Sequence, residues 1–284
     1  MDQPRQIRPA AGSLGAVVHG LSADRIDEAA ARRLADALAT HLVLFLPGLA
    51  PTTEQFRDLG ARFGELEVHP YLPKVDEAVP EIVELDSEVA PKADLWHTDV
   101  TFSESPPVAA LLHMVDGPAY GGDTMWINTL DVYDTLSEPL KAMLEGLTCT
   151  HHDARGTLTA EHPVVRVQPG TGRRSLFVNK QFSRRIPQLS RPESQMLLAH
   201  LFRWQEQVRF SCRWRWSTGD VVIWDERFTL HAVVDDTRER RLLHRATVLG
   251  DGASLAVADA PVWPAHERDK MASSGYYGIG GYEF

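Results

Sequence analysis

The spacing of apolar and polar positions changes period several times along the chain. Over 24–40 (DRIDEAAARRLADALAT), Ile26, Ala30, Leu34 and Leu38 fall near one helical stripe, and Asp24 stands where a cap would. LVLFLPG at 42–48 is a short apolar run closed by Pro-Gly, which predicts a buried strand. Thr52 and Gln55 then have the spacing of a capping box. Phe56, Leu59 and Phe63 give the following helix its buried face, and Gly64 ends it.

Residues 66–95 carry several prolines and only short apolar runs, predicting strand and loop material over a site. WHTDVTF follows, then AALLHMV at 109–115, a glycine turn at 121–122, DTMWIN, and a helical segment around 137–147. PVVRV at 163–167 and SLFVN at 175–179 read as strands joined by a turn at Pro169, Gly170 and Gly172. SRPESQMLLAHLFRW at 190–204 predicts a helix with Ser190 and Glu193 as a capping pair and Leu197, Leu201 and Trp204 on one face. RFSCRWRW alternates as a strand would, and VVIW at 221–224 and RLLHRATVLG at 241–250 complete the pattern.

Strands dominate the second half without βαβ alternation, and no repeat or linker divides the chain. The pattern predicts one mainly β domain over residues 1–251, a sheet sandwich or barrel with flanking helices. Residues 252–284 form a C-terminal extension. Its Pro261, Pro264 and SSGYYGIGGYEF ending argue against a long regular element. Tyr276, Tyr277, Tyr282 and Phe284 nevertheless supply apolar surface for docking on the body or on a second subunit of a homo-oligomer.

With 284 residues the chain can bury a substantial core. Its 29 Lys plus Arg against 39 Asp plus Glu leave a formal charge of -10, which disfavours nucleic acid and anionic membranes as partners. Cys149 and Cys212 are too few for a disulfide framework or a four-cysteine zinc site. No leader-like segment or run of some 20 apolar residues stands out, so the expected location is cytoplasmic.

Candidate chemistry enters with His97 and Asp99, two residues apart in an apparent strand and therefore expected on one face. One imidazole and one carboxylate can hold adjacent positions around a metal; a third ligand must come from elsewhere. His231, after VVIWDERFTL, is the best candidate. Two histidines and a carboxylate form the facial set of non-haem Fe(II) oxygenases, with zinc as the other metal such a set would take. A bare HxD also arises by chance, and His231 alone could be a packed core histidine. Arg241 begins another apolar strand; buried there it would need an anion, and its fork suits a carboxylate. On the surface it would simply belong to the RERR run.

WHTDVTFSESPP at 96–107, GGDTMWINT at 121–129, EHPVVRVQPGTGRRSLFVN at 161–179, GDVVIWDERFTLHAVVDD at 219–236 and RRLLHRATVLGD at 240–251 together carry a specific resemblance. FGELEVHP at 63–70 and the early LVLFLPG also fit it. In these segments the chain resembles the taurine dioxygenase/TfdA-like family of Fe(II)- and 2-oxoglutarate-dependent dioxygenases. The resemblance implies a double-stranded β-helix, or jelly-roll core, with flanking helices. It implies that His97, Asp99 and His231 bind Fe(II), and that Thr124 and Arg241 hold the distal carboxylate of 2-oxoglutarate. Consumption of O2 and 2-oxoglutarate, release of succinate and CO2, and hydroxylation of a small anionic organic substrate would follow.

By the same resemblance His69 and Arg245 meet the substrate anion, a tetrahedral oxyanion being a good match for an arginine fork and a histidine. Phe102, Trp126 and Phe177 are candidate pocket walls, with core packing an equal alternative for the last two. Two departures from the taurine pattern stand out. Ala93 replaces an asparagine, and Leu72 replaces a tyrosine, although Tyr71 is adjacent and could compensate. The link from His151–His152 to EHPVV is short where relatives carry a lid-like insertion. An alkyl sulfate or sulfonate is therefore expected ahead of taurine, with a carboxylate or specialised metabolite as the alternative. A zinc hydrolase or a non-catalytic jelly-roll binding protein would leave Thr124 and Arg241 unexplained or would be expected to lack a ligand.

Overall fold

The apolar run near residue 221 forms the centre of the architecture. In the computed structural model, which describes residues 6–89, 93–253 and 255–266, the strand Val221–Asp225 is buried at all five positions. It lies between Val43–Leu46 and Ala109–Asp116, antiparallel to both. Ala16–Val18 and Ile7–Pro9 extend the sheet beyond Val43–Leu46; Leu242–Val248 and Val83–Asp86 extend it on the other side, making seven strands. Ala16–Val18 runs parallel to its neighbour Val43–Leu46, so the sheet is mixed.

Alternation along the central strand divides it between two cores. Val221 and Ile223 join Leu44, Leu46, Leu111 and Ala246 beneath two helices, Glu28–His41 and Thr53–Gly60, which contribute Leu34, Leu38, Phe56 and Leu59. Val222 and Trp224 face the other way, with Val43, Phe45 and Leu243, onto Trp126, Cys212 and Trp216. Trp126 and Cys212 belong to a second, three-stranded sheet in which Thr124–Asn128 runs between Ser211–Trp214 and Thr229–Val233. Phe45 fastens the two sheets, edge-on to Trp126 at 5.6 Å and stacked on Trp214 at 4.4 Å. Truncating a side chain such as Ile223 to alanine would cost about 2–5 kcal/mol.

The sequence pattern locates these elements but misplaces some ends. Asp27, not Asp24, caps the first helix, its Oδ1 accepting from the Ala30 N–H at 2.7 Å; Asp24 lies in a preceding 3-10 turn, Ala23–Arg25. The second helix has the expected capping box of Thr52 and Gln55 but stops at Gly60. Gly64 instead allows a close crossing: a Cβ there would lie 2.7 Å from Val248 Cγ1. PVVRV divides, Thr159–Pro163 pairing with Thr148–His152 and Val165–Val167 with Arg174–Leu176. A short helix, Thr129–Asp134, capped by the side-chain Oδ1 of Asn128, was not signalled by apolar period. The late helix, Arg191–Gln205, begins at the expected Ser190–Glu193 pair.

Among the described residues the strands form four separate hydrogen-bonded sheets. The observed class is therefore mixed α/β with two facing sheets, and no closed barrel is formed by strand pairing. Cys149 and Cys212 are both buried free thiols. No described helix is long and apolar enough to cross a membrane.

Two surface segments singled out in the sequence are the short link after His152 and the stretch past residue 251. Between Thr148–His152 and Thr159–Pro163 the chain reverses in a compact turn, where Asp153 Oδ1 accepts from the Thr157 and Leu158 N–H groups at 2.6 and 3.0 Å. Past residue 251, the Leu255 carbonyl accepts from Val167 N–H at 2.7 Å and His266 N–H donates to the Pro187 carbonyl at 2.9 Å. Tyr276, Tyr277, Tyr282 and Phe284 lie outside the described residues.

Candidate metal centre and anion cavity

Where the two sheets face each other they enclose a cavity of about 300 Å³. The small sheet contributes Thr124, His231 and Val233, and the large sheet contributes Leu85, Leu112, Trp224, Leu243 and Arg245. Arg241, Leu243 and Arg245 reach it together because alternate residues of an extended chain share a face. The result is an apolar chamber with two guanidinium groups.

His97 and Asp99 enter from a loop, not from the expected strand. Only His97 is extended: it forms an isolated antiparallel bridge with His231, with backbone hydrogen bonds of 3.1 and 2.7 Å in the two directions. The chain then turns at Asp99, and Val100 adopts a left-handed φ of 52°. Bridge and turn together bring both side chains to His231, and ligand atoms of His97, Asp99 and His231 lie within 4.8 Å of one another, all buried.

The donor pattern tests this cluster for a metal. His97 Nδ1 stands 2.7 Å from the Leu95 carbonyl, an acceptor, so the ring proton belongs there and Nε2 presents a lone pair. That lone pair faces Asp99 Oδ1 at 3.4 Å, and His231 Nε2 faces the same oxygen at 3.9 Å. Burial, then His97, holds His231 well below its ordinary pKa and so neutral. Burial opposes ionisation of Asp99, but Arg245 above all, then His97 and His231, bring its carboxyl well below the usual range. Two imidazoles and a carboxylate converge on one point, a donor set that suits a divalent cation. These residues fit Fe(II).

Arg241 lies across the same cavity, 6% exposed. Its Nη2 reaches Thr124 Oγ1 at 3.5 Å, its Nε has no hydrogen-bond partner, and among the described residues no carboxylate pairs with it. Burial brings its pKa down to about 10, so it stays charged. Thr124 also accepts from the Trp216 indole N–H at 3.0 Å, which fixes its hydroxyl. A buried cation left in this state can receive a carboxylate.

The expected substrate residues divide. Arg245 lines the cavity and contacts Asp99 Oδ2 at 2.8 Å. His69 is half-buried and does not line the cavity; Nδ1 accepts from Tyr71 and Leu72 N–H at 3.2 and 3.0 Å, so the neutral ring carries its proton on Nε2. Burial lowers its pKa. Leu72 and Ala93 both line the cavity, whereas Tyr71 is 90% exposed and does not compensate for Leu72.

The expected aromatic walls stand elsewhere. Phe102 packs edge-on against Phe182 at 5.2 Å, and Phe182 in turn meets His97 at 6.3 Å, so Phe102 is one ring removed from the cluster. Phe177 belongs to a different buried group, stacked with His151 at 5.7 Å and carrying the Arg166 guanidinium 3.2 Å from its centroid. Trp126 is core between Phe45 and Trp224. Aromatic type alone could not distinguish lining from packing.

Sequence reasoning did not single out Trp224, which forms a wall, or Glu226, which is wholly buried behind Asp99 and His231. Burial and then Asp99 push the Glu226 carboxyl well above its usual range. The available signal was two consecutive acids, Asp225 and Glu226, closing an apolar strand; among the described residues only the first is ion-paired to an arginine, Arg227, at 2.6 Å.

Comparison with known proteins agrees with this geometry. The family model described as "Taurine catabolism dioxygenase TauD, TfdA family" matches residues 6–247. An alpha-ketoglutarate-dependent sulfate ester dioxygenase of Pseudomonas putida is 36% identical over 272 residues, covering 86% of this chain and 89% of its own length. An alkylsulfatase of Acinetobacter baylyi is 35% identical, over 88% of this chain and 86% of its own. The crystal structure of a taurine dioxygenase from Burkholderia xenovorans superposes with a TM-score of 0.80 at 34% identity, covering 88% of this chain and 92% of that one.

Proposed function

The chain belongs to the taurine catabolism dioxygenase TauD, TfdA family, and we propose that it is an Fe(II)- and 2-oxoglutarate-dependent dioxygenase of small organic anions, with alkyl sulfates or sulfonates foremost. The observation that carries this reading is the buried Arg241, without a carboxylate partner among the described residues, in the same cavity as the His97, Asp99 and His231 cluster. A hydrolytic zinc site has no use for that second receptor. On this reading the two facing sheets are the halves of a double-stranded β-helix.

His97, Asp99 and His231 would hold the iron; Arg241 and Thr124 would hold the distal carboxylate of 2-oxoglutarate. Together these groups supply oxygen insertion into a substrate C–H bond, driven by conversion of 2-oxoglutarate and O2 to succinate and CO2. The protein's own work is placement. The Leu95 carbonyl fixes the His97 tautomer, and Trp216 fixes the Thr124 hydroxyl. Arg245 in the lining, and the Nε2–H of His69, which feels the charges of Arg245 and Asp99, would offer donors to a substrate anion. Leu72, Leu85, Leu112, Val233 and Leu243 exclude water and accept an alkyl chain.

Two observations favour a sulfate ester or simple sulfonate over taurine. Leu72 and Ala93 give a substrate ammonium no polar side chain at those positions. The similar Pseudomonas protein bears the name of a sulfate ester dioxygenase. Hydroxylation beside a sulfate oxygen would give an unstable product that breaks down to aldehyde and sulfate.

A panel of alkyl sulfates, sulfonates and carboxylates, assayed for succinate formed together with oxidised substrate, tests the assignment. Coupled turnover with the sulfur anions is expected, and coupling confined to carboxylates would reject that preference. Anaerobic Fe(II) with 2-oxoglutarate should develop a visible charge-transfer band. Tight zinc retention with O2-independent hydrolysis would instead establish the zinc reading. Asp99→Ala should abolish succinate formation.

A further inference from the structure

Glu226 follows the central strand at the turn that leads into the His231 strand. It is 0% exposed, and no lysine or arginine pairs with it among the described residues. Each of its oxygens meets a donor, with the Asp99 carboxylate also close: Oε1 accepts from the Trp224 indole N–H at 2.8 Å, and Oε2 accepts from the backbone N–H of Asp99 at 3.1 Å. The same Oε2 lies 4.0 Å from His231 Nδ1, a buried nitrogen with no hydrogen-bond partner.

The chemical demand at this position is narrow. Trp224 and Asp99 present N–H groups to two different oxygens, and an amide has only one oxygen to offer. An apolar side chain would orphan both donors at about 1–3 kcal/mol each. If His231 coordinates through Nε2, its Nδ1 must carry the ring proton and needs an acceptor; Glu226 Oε2, 4.0 Å away, is the carboxyl oxygen that faces it. One side chain thus touches the backbone of one ligand, flanks the ring of a second, and is anchored by a wall of the cavity.

We infer that Glu226 is a positioning residue of the metal centre, setting Asp99 through its backbone N–H and orienting His231 by accepting from Nδ1. This inference rests on the metal-site reading of His97, Asp99 and His231. It concerns the shape of the ligand set, not contact with the substrate.

Co(II) is the probe, added to the metal-free full-length protein and to Glu226→Gln and Glu226→Met variants whose folding is checked by circular dichroism. The unsubstituted chain should show Co(II) d–d bands and a slowly exchanging, hyperfine-shifted Nδ1 proton from His231. Glu226→Gln should bind Co(II) roughly 10- to 100-fold more weakly, with altered bands and a rapidly exchanging Nδ1 proton; Glu226→Met should lose more. Equal affinity, identical bands and an unchanged Nδ1 proton in Glu226→Gln would overturn the role of Glu226 alone. Failure of the unsubstituted chain to bind Co(II) would overturn the metal centre itself, and this role with it.

Discussion

Arg245 and Asp99 form an ion pair, with Nη2 2.8 Å from Oδ2, while the other oxygen of the same carboxylate faces the two histidines. One carboxylate is therefore shared between the proposed metal position and the proposed substrate anchor. Arg245→Met should lower kcat/KM for an anionic substrate by roughly 10²-fold, the loss of a charge-assisted contact. The KM for 2-oxoglutarate should move far less. Steady-state succinate assays with each reactant varied in turn would check the split; equal effects on both would remove Arg245 from substrate recognition.

Arg241 should behave in the opposite way. Arg241→Met removes the guanidinium that hydrogen-bonds Thr124, so the KM for 2-oxoglutarate should rise by about 10²-fold or more. Thr124→Val should have a smaller kinetic effect and a larger thermal one, because it leaves the buried Trp216 indole N–H without its acceptor at about 1–3 kcal/mol. Calorimetry and 2-oxoglutarate titrations of the two variants would separate these effects.

The apolar walls predict a dependence on chain length. Each added methylene of a linear alkyl sulfate that enters the cavity should raise kcat/KM by up to about fourfold, near 0.8 kcal/mol. The gain should stop once the chamber of about 300 Å³ is filled. Ala93→Asn places an amide in the lining and should flatten the series. A flat series in the unmodified protein would show that the chain lies outside the cavity.

Acid should destabilise the fold through buried neutral histidines. His113 packs against Phe56 and His244, and burial, aided by His244, lowers its pKa from 6.5 to about 4. His244 is itself lowered by burial, with Glu84 opposing. Between those two pH values the unfolded chain binds more protons than the folded one, so stability falls as pH drops from about 6.5 towards 4 and is fully present above that window. The Tm should fall by roughly 3–6 °C or more between pH 7 and pH 5. His113→Phe should remove part of that slope, and an unchanged slope would exclude His113 as its source.

The sequence was informative wherever one local rule decided the outcome. The box at Thr52–Gln55, the Ser190–Glu193 start and the buried strand at 221 are each set by nearby residues. It also reached the metal cluster, although for a partly mistaken reason. His97 and Asp99 meet through a cross-chain bridge to His231 and a turn, not through a shared strand face. Neither the bridge nor the turn has a period that can be read along the chain. Phe177 and Trp126 show the same limit, since both are buried aromatics and only tertiary packing assigns them to walls or core. Glu226 required knowing which donors a buried acid would face.

Val100 gives the fold a trade-off. A β-branched residue at φ 52° occupies a backbone region that suits glycine, at a cost of order 1–3 kcal/mol. It does so immediately after Asp99, where the chain must reverse. Val100→Gly should therefore raise thermal robustness at modest gain while loosening the joint that aims Asp99, so the sturdier protein would hold the proposed metal less well. Selection for heat resistance alone would then erode the centre one residue away from any ligand.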